Sequence, residues 1–366
     1  MKFLDLFAGI GGFRLGLESQ GHECLGFCEI DKFARKSYKA IFETEGEVEF
    51  HDIRQVTDQD FRKFRGQVDI ICVGFPCQAF SLAGRRLGFE DTRGTLFFEL
   101  ARAAQQIQPR FLFLENVKGL LSHDKGATFR TILTTLDELG YDVEWQVLNS
   151  KDFQVPQNRE RVFLIGHSRR YRPRFLFPLR REGSPTAFVQ TGRVYDISGI
   201  SPTITTMQGG DKVPKILLRE TLPHLKIKEA TKTGFAKATL GDSVNLAYPK
   251  SNSHRGRVGQ GISNTLTTSG NMGVVVAALE YRKDKWYEVT GIVLDGKLYR
   301  LRIRRLTPRE CFRLQGFPDW AYERAEAVSS KSQLYKQAGN SVTVNVIAAI
   351  AEKFRKIEEE EHETLT

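Results

Sequence analysis

Val68-Asp69-Ile70-Ile71-Cys72-Val73-Gly74-Phe75-Pro76-Cys77-Gln78-Ala79-Phe80-Ser81-Leu82-Ala83-Gly84 is the stretch that decides the fold. Its first six residues form an apolar, β-branched run with the length of a buried strand. Gly74 and Pro76 then break the ladder. Cys77 therefore falls on a loop at the carboxyl end of a central strand, where ligands and chemistry collect in open α/β sheets. Most free cysteines are small buried hydrophobes, and Cys72, inside the run, is expected to be one. A thiol on the loop is placed to attack a substrate.

The 366 residues are enough for two domains, and 40% hydrophobic with 27% charged residues is ordinary for a globular chain. No apolar run approaches the ~20 residues of a membrane span. The N-terminus lacks the charged-then-apolar plan of a signal peptide, which predicts an intracellular protein. The five cysteines, Cys24, Cys28, Cys72, Cys77 and Cys311, are odd in number and contain no Cys-x-x-Cys pair. That argues against a disulfide framework and against a structural zinc site, so no metal is expected. The net charge of +10 suits a polyanionic partner. Arginines cluster at 169–181 and 300–313, whereas 358–363 is acidic and reads as a frayed tail.

Residues 2–7 read as a strand, followed by the turn Ala8-Gly9-Ile10-Gly11-Gly12 and a helix. Such a turn lets a ligand approach the backbone, and the helix N-terminus favours an anionic group. Alone it fits nicotinamide and flavin cofactors too. The second strand, 23–28, ends in Glu29, about twenty positions past the glycines, which is where a ribose-binding acid belongs; Asp31 competes for that role. The short third strand, 48–51, closes on Asp52-Ile53. That pair reads either as an adenine contact with aliphatic packing or as a turn cap.

One-sided helical spacing is evident at Leu96, Phe97, Leu100, Ala101, Ala104 and Ile107, and again over 127–139. Between them, Phe111-Leu112-Phe113-Leu114 reads as a buried strand that delivers Glu115-Asn116-Val117. A glutamate following four large apolar residues is desolvated, which raises its pKa; helix capping is the competing role. In Gln157-Asn158-Arg159-Glu160-Arg161, alternation puts Gln157, Arg159 and Arg161 on one face of an extended segment. Two arginines there need an anion or a carboxylate, unless they form a surface row with Glu160. From about 169 to 300, glycine, serine and threonine rise. Gly199-Ile200-Ser201-Pro202-Thr203-Ile204-Thr205-Thr206 is echoed by Gly261-Ile262-Ser263-Asn264-Thr265-Leu266-Thr267-Thr268. The echo predicts two strand-loop-strand units whose loops enter a groove. A threonine-capped helix then starts at Pro308, and an apolar helix ends near Lys356.

Pro76-Cys77-Gln78-Ala79-Phe80-Ser81 resembles the catalytic motif of the DNA (cytosine-5)-methyltransferases. Asp5-Leu6-Phe7-Ala8-Gly9-Ile10-Gly11-Gly12 is similar to their S-adenosylmethionine loop, Glu29 to their ribose ligand and Asp52-Ile53 to their adenine pair. The similarity continues in order through Glu115-Asn116-Val117, residues 157–161, Thr265-Leu266, residues 304–319 and Tyr335-Lys336-Gln337-Ala338-Gly339-Asn340-Ser341-Val342. It covers nearly the whole chain. One departure is Ile30, where the family also has an aromatic residue beside the adenine.

The resemblance implies an α/β fold: a Rossmann-like S-adenosylmethionine-dependent methyltransferase sheet with a smaller, mostly β target-recognition domain. The expected division is 1–168 plus 330–356 for catalysis, 169–329 for recognition and 357–366 as the acidic tail. It implies Cys77, Glu115, Arg159 and Arg161 as catalytic. S-adenosylmethionine would be held by Phe7, Gly9, Gly11, Gly12, Glu29, Ile30, Asp52, Ile53, Pro76, Leu96, Asn340 and Ser341. Double-stranded DNA would be met by Gln78, Ser81, Arg93, Gln157, Arg257, Thr265, Leu266, Thr267 and Thr268. The compact length resembles bacterial or phage modification enzymes: cytoplasmic, nucleoid-associated, monomeric, and paired in type with a restriction endonuclease. Two other readings are a tRNA cytosine-5 methyltransferase, against which the long glycine/threonine segment argues, and a non-enzymatic DNA-binding regulator, against which Cys77, Glu115 and Arg161 argue.

Overall fold

Five apolar runs of the first 117 residues form parallel strands, β1 (Lys2–Leu6), β2 (Glu23–Cys28), β3 (Val48–Phe50), β4 (Ile70–Gly74) and β5 (Phe111–Val117), in the computed structural model of the chain. Described are residues 1–75, 96–171, 175–179, 194–196, 215–217, 224–247, 256–266, 272–279, 291–294 and 297–365. The parallel connections are made by α1 (Gly12–Glu18), α2 (Lys32–Ile41), α3 (Asp58–Arg62) and α4 (Leu96–Ile107). After α5 (Ala127–Glu138), β6 (Tyr141–Asn149) and β8 (Glu160–Ser168) complete the sheet in antiparallel fashion, with the two-residue β7 (Gln157–Asn158) between them. The order is β3-β2-β1-β4-β5-β8-β6. The chain turns back between β1 and β4, so the crevice for a ligand lies beyond the ends of those two strands, at Phe7 and at Gly74-Phe75.

Both faces of the sheet are covered, which is why its parallel strands read as unbroken apolar runs. One face packs Ile71, Val73, Leu112 and Leu114 against α4 and α5. The other packs Ile70, Cys72, Phe113 and Phe163 against Val346, Ile350 and Phe354 of α9 (Val344–Leu365). A Cβ on Gly16 would stand 2.6 Å from Ile347, so the missing side chain lets α9 sit directly on α1. The frayed acidic tail expected from 357 is instead the end of α9. Arg110 pairs with Glu361, and the Met1 α-amino group donates to Glu358 Oε2 at 2.8 Å. Those partners neutralise an acidic run that in isolation would repel itself.

The strand β6 adds to the elements expected from the sequence, and Tyr141-Asp142-Val143-Glu144-Trp145-Gln146-Val147 alternates along it. On one face of β6, Glu144 receives His167 Nε2 at 2.8 Å and the backbone N–H groups of Leu176 (2.7 Å) and Phe177 (3.0 Å). Gln146 exchanges two hydrogen bonds with the backbone of Leu179. These side chains hold residues 175–179 against the core, with Leu176 buried. Glu144→Ala leaves two N–H groups and a buried imidazole without an acceptor. It is expected to cost about 3 kcal/mol of stability, seen as a lower urea midpoint at unchanged slope.

The second half begins with the short pairs β9 (Val194–Asp196) with β10 (Lys215–Leu217) and β11 (Leu225–Lys228) with β12 (Phe235–Ala238). A five-stranded antiparallel sheet follows, built from β13 (Ser243–Asn245), β14 (Val258–Gly259), β16 (Met272–Leu279), β17 (Gly291–Leu294) and β18 (Lys297–Arg305). As expected there, a strand, β15 (Ser263–Asn264), precedes the apolar strand β16, but the two do not pair with each other. β15 pairs in parallel with β7 and so ties the two halves together. The first copy of the echo, 199–206, lies outside the described residues. Helices α6 (Pro308–Arg313), α7 (Asp319–Glu326) and α8 (Lys331–Asn340) bring the chain back. Thr307 and Glu310 close a capping box on α6. Leu306, Phe312, Phe317 and Tyr322 share one core with Phe27, Tyr38 and Phe42, and with Leu266 and Met272.

Candidate active site

The turn after β1 is shaped by its backbone. Phe7 has φ of 56°, Gly9 57° and Gly11 83°. A bulky residue in the left-handed region costs of order 1–3 kcal/mol and persists only where its surroundings fix it. Here Ala8 N–H donates to Cys28 O at 3.0 Å and Gly11 N–H to Ala8 O at 2.8 Å. A Cβ on Gly9 would meet nothing within 4 Å, so open space lies over the turn. A Cβ on Gly12 would stand 2.7 Å from Ser341 Oγ. That glycine lets the segment after α8 close onto the turn.

Glu29 accepts from Gly9 N–H at 2.8 Å through one oxygen and from Asp31 N–H at 2.7 Å through the other. Burial pushes its pKa up against those two bonds. A carboxylate has further lone pairs, so Glu29 still has acceptor capacity towards a diol. Asp31 is differently engaged: it caps α2 through Phe33 N–H and pairs with Lys336 Nζ at 2.6 Å. Asp52 caps the turn at Ile53–Gln55 and forms a two-pronged ion pair with Arg54.

Phe7, Gly9, Glu29, Gly74, Phe75, Glu115, Arg159, Arg161 and Asn340 line one cavity of about 380 Å³, together with Asp31, Asn116 and Lys336. Small-molecule sites run from roughly 300 to 1,000 Å³. Seven of the described residues expected at the cofactor do not line it: Gly11, Gly12, Ile30, Asp52, Ile53, Leu96 and Ser341. Ile30 is 60% exposed, Ile53 is buried in the core against which Leu96 packs, and Asp52 is turned to Arg54. Gly11 and Ser341 stand behind the wall, against Phe42 and Gly12.

At the other end of the cavity, β5 continues through Glu115, Asn116 and Val117 instead of stopping at Leu114. Glu115 is the register partner of Gly74, and a Cβ on Gly74 would be 3.5 Å from its Oε2. Arg161 Nε lies 3.1 Å from Glu115 Oε1. Burial raises the pKa of Glu115, while Arg161 and then Arg159 hold it down. Arg159 donates to Ser341 O at 2.8 Å. Its Nε and Nη1 are buried with no hydrogen-bond partner among the described residues. Burial, with Arg161 nearby, lowers its pKa to about 10. An unmatched buried guanidinium beside a glutamate whose pKa burial raises is a site prepared for a polar, planar guest. Asn116 Nδ2 donates to Phe75 O at 2.9 Å and so fixes the backbone just before Pro76. Its place in Glu115-Asn116-Val117 was the available signal for it.

Three residues expected at the DNA are buried instead. Gln157 is fully buried; its Nε2 donates to Leu314 O at 2.5 Å and its Oε1 accepts from Leu266 N–H at 3.1 Å. Arg257 donates to Lys228 O at 2.7 Å and Asn245 O at 2.9 Å. Leu266 packs in the core shared by the two halves. Thr265 Oγ1 donates to Asn158 O at 2.8 Å. Pro76, Cys77, Gln78, Ser81, Arg93, Thr267 and Thr268 lie outside the described residues. No group of three metal-ligating side chains occurs among the described residues, and none of their helices is long and apolar enough to cross a membrane.

The family described as C-5 cytosine-specific DNA methylase matches residues 1–356. The Type II methyltransferase M.HpaII of Haemophilus parainfluenzae is 38% identical over 358 residues, covering 96% of this chain and 88% of that protein. M1.ScrFI of Lactococcus lactis subsp. cremoris is 37% identical over 359 residues, covering 97% and 78%. M.HhaI of Haemophilus parahaemolyticus is 36% identical over 353 residues, covering 96% and 93%. Among solved structures, the S. pombe Dnmt2 methyltransferase superposes with a TM-score of 0.56 at 16% identity, covering 98% of each chain. The Entamoeba histolytica methyltransferase EhMeth gives 0.52 at 13% identity, again covering 98% of each. At those identities the likeness is one of fold.

Proposed function

The chain belongs to the C-5 cytosine-specific DNA methylases and is a DNA (cytosine-5)-methyltransferase, and we propose that S-adenosylmethionine, in the cavity between β1 and β4, is its methyl donor. The donor would supply an electrophilic methyl group. Glu29 would accept from its ribose hydroxyls, and the open backbone at Gly9 would take its amino-acid end, with Asn340 beside it. The observation that carries this reading is the continuity of one cavity from Glu29 to the Glu115–Arg161 pair, because donor and acceptor must meet within it.

Cytosine carbon-5 is a weak nucleophile. Cys77, as thiolate, adds to carbon-6, which makes carbon-5 electron-rich. Protonated Glu115 donates to the ring nitrogen at position 3 and accepts from the exocyclic amine, while Arg161 orients the carboxyl group. The free donors of Arg159 suit the ring carbonyl at position 2. After methyl transfer, loss of the carbon-5 proton expels Cys77 and restores the ring. Carbon-6 is shielded inside a duplex, so the cytosine is flipped out. Residues 1–168 and the returning helices form the catalytic domain, and the insertion from 169 forms the recognition domain. The packing of 306–327 on α2 favours a return near Leu306 over one at 330. The enzyme acts as a cytoplasmic, nucleoid-associated monomer in a bacterial cell, with a nuclease directed at the same site.

Labelled S-adenosylmethionine offered with duplex DNA and with tRNA tests the reading. Label is expected in DNA alone, at carbon-5 of cytosine within one short sequence. Label in tRNA alone, or in neither while the protein is folded and binds DNA, overturns it.

A further inference from the structure

Asp31, a rival for the ribose in the sequence, has a different place in the structure. It caps the N-terminus of α2 through Phe33 N–H (2.8 Å) and Ala34 N–H (3.4 Å) with one oxygen. The other oxygen takes Lys336 Nζ of α8 at 2.6 Å. Both residues line the cavity assigned to the methyl donor, and their side chains are 26% and 46% exposed, so the pair lies where that cavity meets solvent. It joins the first helix layer to a helix 305 residues later.

The same seam has a second, drier stitch. Buried Gln337 donates to Phe33 O at 3.1 Å and accepts from Ser37 Oγ at 3.1 Å. Opening that stitch would strand buried polar groups. Opening the outer pair returns two charges to water at little cost, since exposed ion pairs are weak and screened by salt. The seam therefore has a fixed inner hinge and an outer contact that can break without loss of fold.

We propose that the Asp31–Lys336 ion pair is a latch across the mouth of the donor site: closed, it retains the methyl donor; open, it lets donor and demethylated product exchange. This rests on the donor-site reading above. The latch is a positioning device and takes no part in the chemistry.

The test is the dissociation rate of tritiated S-adenosylmethionine from the full chain without DNA, in the wild type and in Lys336→Met, Asp31→Asn, the double variant and Lys336→Arg. Asparagine caps a helix as well as aspartate does, so Asp31→Asn removes the charge and keeps the cap. Release is expected to be about 2- to 5-fold faster in each single variant, no faster in the double variant, and restored in Lys336→Arg. Unliganded melting temperatures should be unchanged. Raising salt should speed release from the wild type and leave Lys336→Met indifferent. Equal rates in all five proteins, or identical salt dependence, would overturn the latch while leaving the donor site standing. A wild type that binds no donor overturns the donor site itself.

Discussion

Cys77→Ser is expected to lower methyl transfer on the order of 10⁴-fold or more, the scale seen when an enzyme loses its nucleophile. A serine hydroxyl is far less ionised than a thiol near neutral pH and forms the carbon-6 bond poorly. No other cysteine can substitute. Cys24, Cys28 and Cys311 are buried, and burial pushes each thiol up to about 12; burial also pushes Cys72, in the middle of β4, well above the ordinary thiol range. The frame that delivers Cys77 is fixed up to Phe75, whose carbonyl is held by Asn116, so the substitution should leave donor and DNA binding intact. Single-turnover transfer, measured beside DNA binding, checks this. Duplex DNA carrying fluorine at carbon-5 adds an independent readout, because without a proton to lose the adduct cannot resolve. Mass spectrometry should find a protein–DNA adduct with the wild type and none with Cys77→Ser. More than a hundredth of wild-type transfer in the variant would remove Cys77 from the mechanism.

How much of this was legible in the sequence follows from what sequence patterns encode. Strands buried on two faces announce themselves, and β2 runs over 23–28 as read. The threonine cap before Pro308 is a local signal and was equally plain, though the reciprocal bond to Glu310 was not part of that reading. Partners across the fold are not encoded locally. Arg257 looks in sequence like a cation awaiting phosphate, yet backbone carbonyls of Lys228 and Asn245 take its guanidinium. Gln157 sits on the face predicted for it, beside Arg159, but that face meets Leu314 and Leu266 and not solvent. The acidic end of α9 is helical because Arg110 and the chain's own amino terminus face it, and neither is near it in sequence. Glu115 was foreseen with its raised pKa because the cause, four apolar neighbours on one strand, is local; the two arginines that oppose the shift come from 44 and 46 residues further on.

That opposition gives the second large effect. The form of Glu115 that serves the reaction is the protonated one, and burial favours it. The rate of transfer should therefore be highest below the raised pKa and fall as pH rises through it, above the ordinary carboxylate range. Stability follows the same direction. Between the ordinary and the raised value the folded state binds the proton more tightly than the unfolded one, so stability is greatest below the ordinary value and declines as pH rises through the raised one. Glu115→Gln keeps one donor and one acceptor but has no proton to release, and is expected to lose about 10²–10³ in rate together with the alkaline limb. Arg161→Ala removes the largest influence holding Glu115 down, so its limb should move to higher pH while the maximum rate falls. Single-turnover profiles of the three proteins decide the matter. A limb that stays in Glu115→Gln, or moves to lower pH in Arg161→Ala, would show that the titrating group is not Glu115 and that Arg161 acts on the base or a phosphate instead.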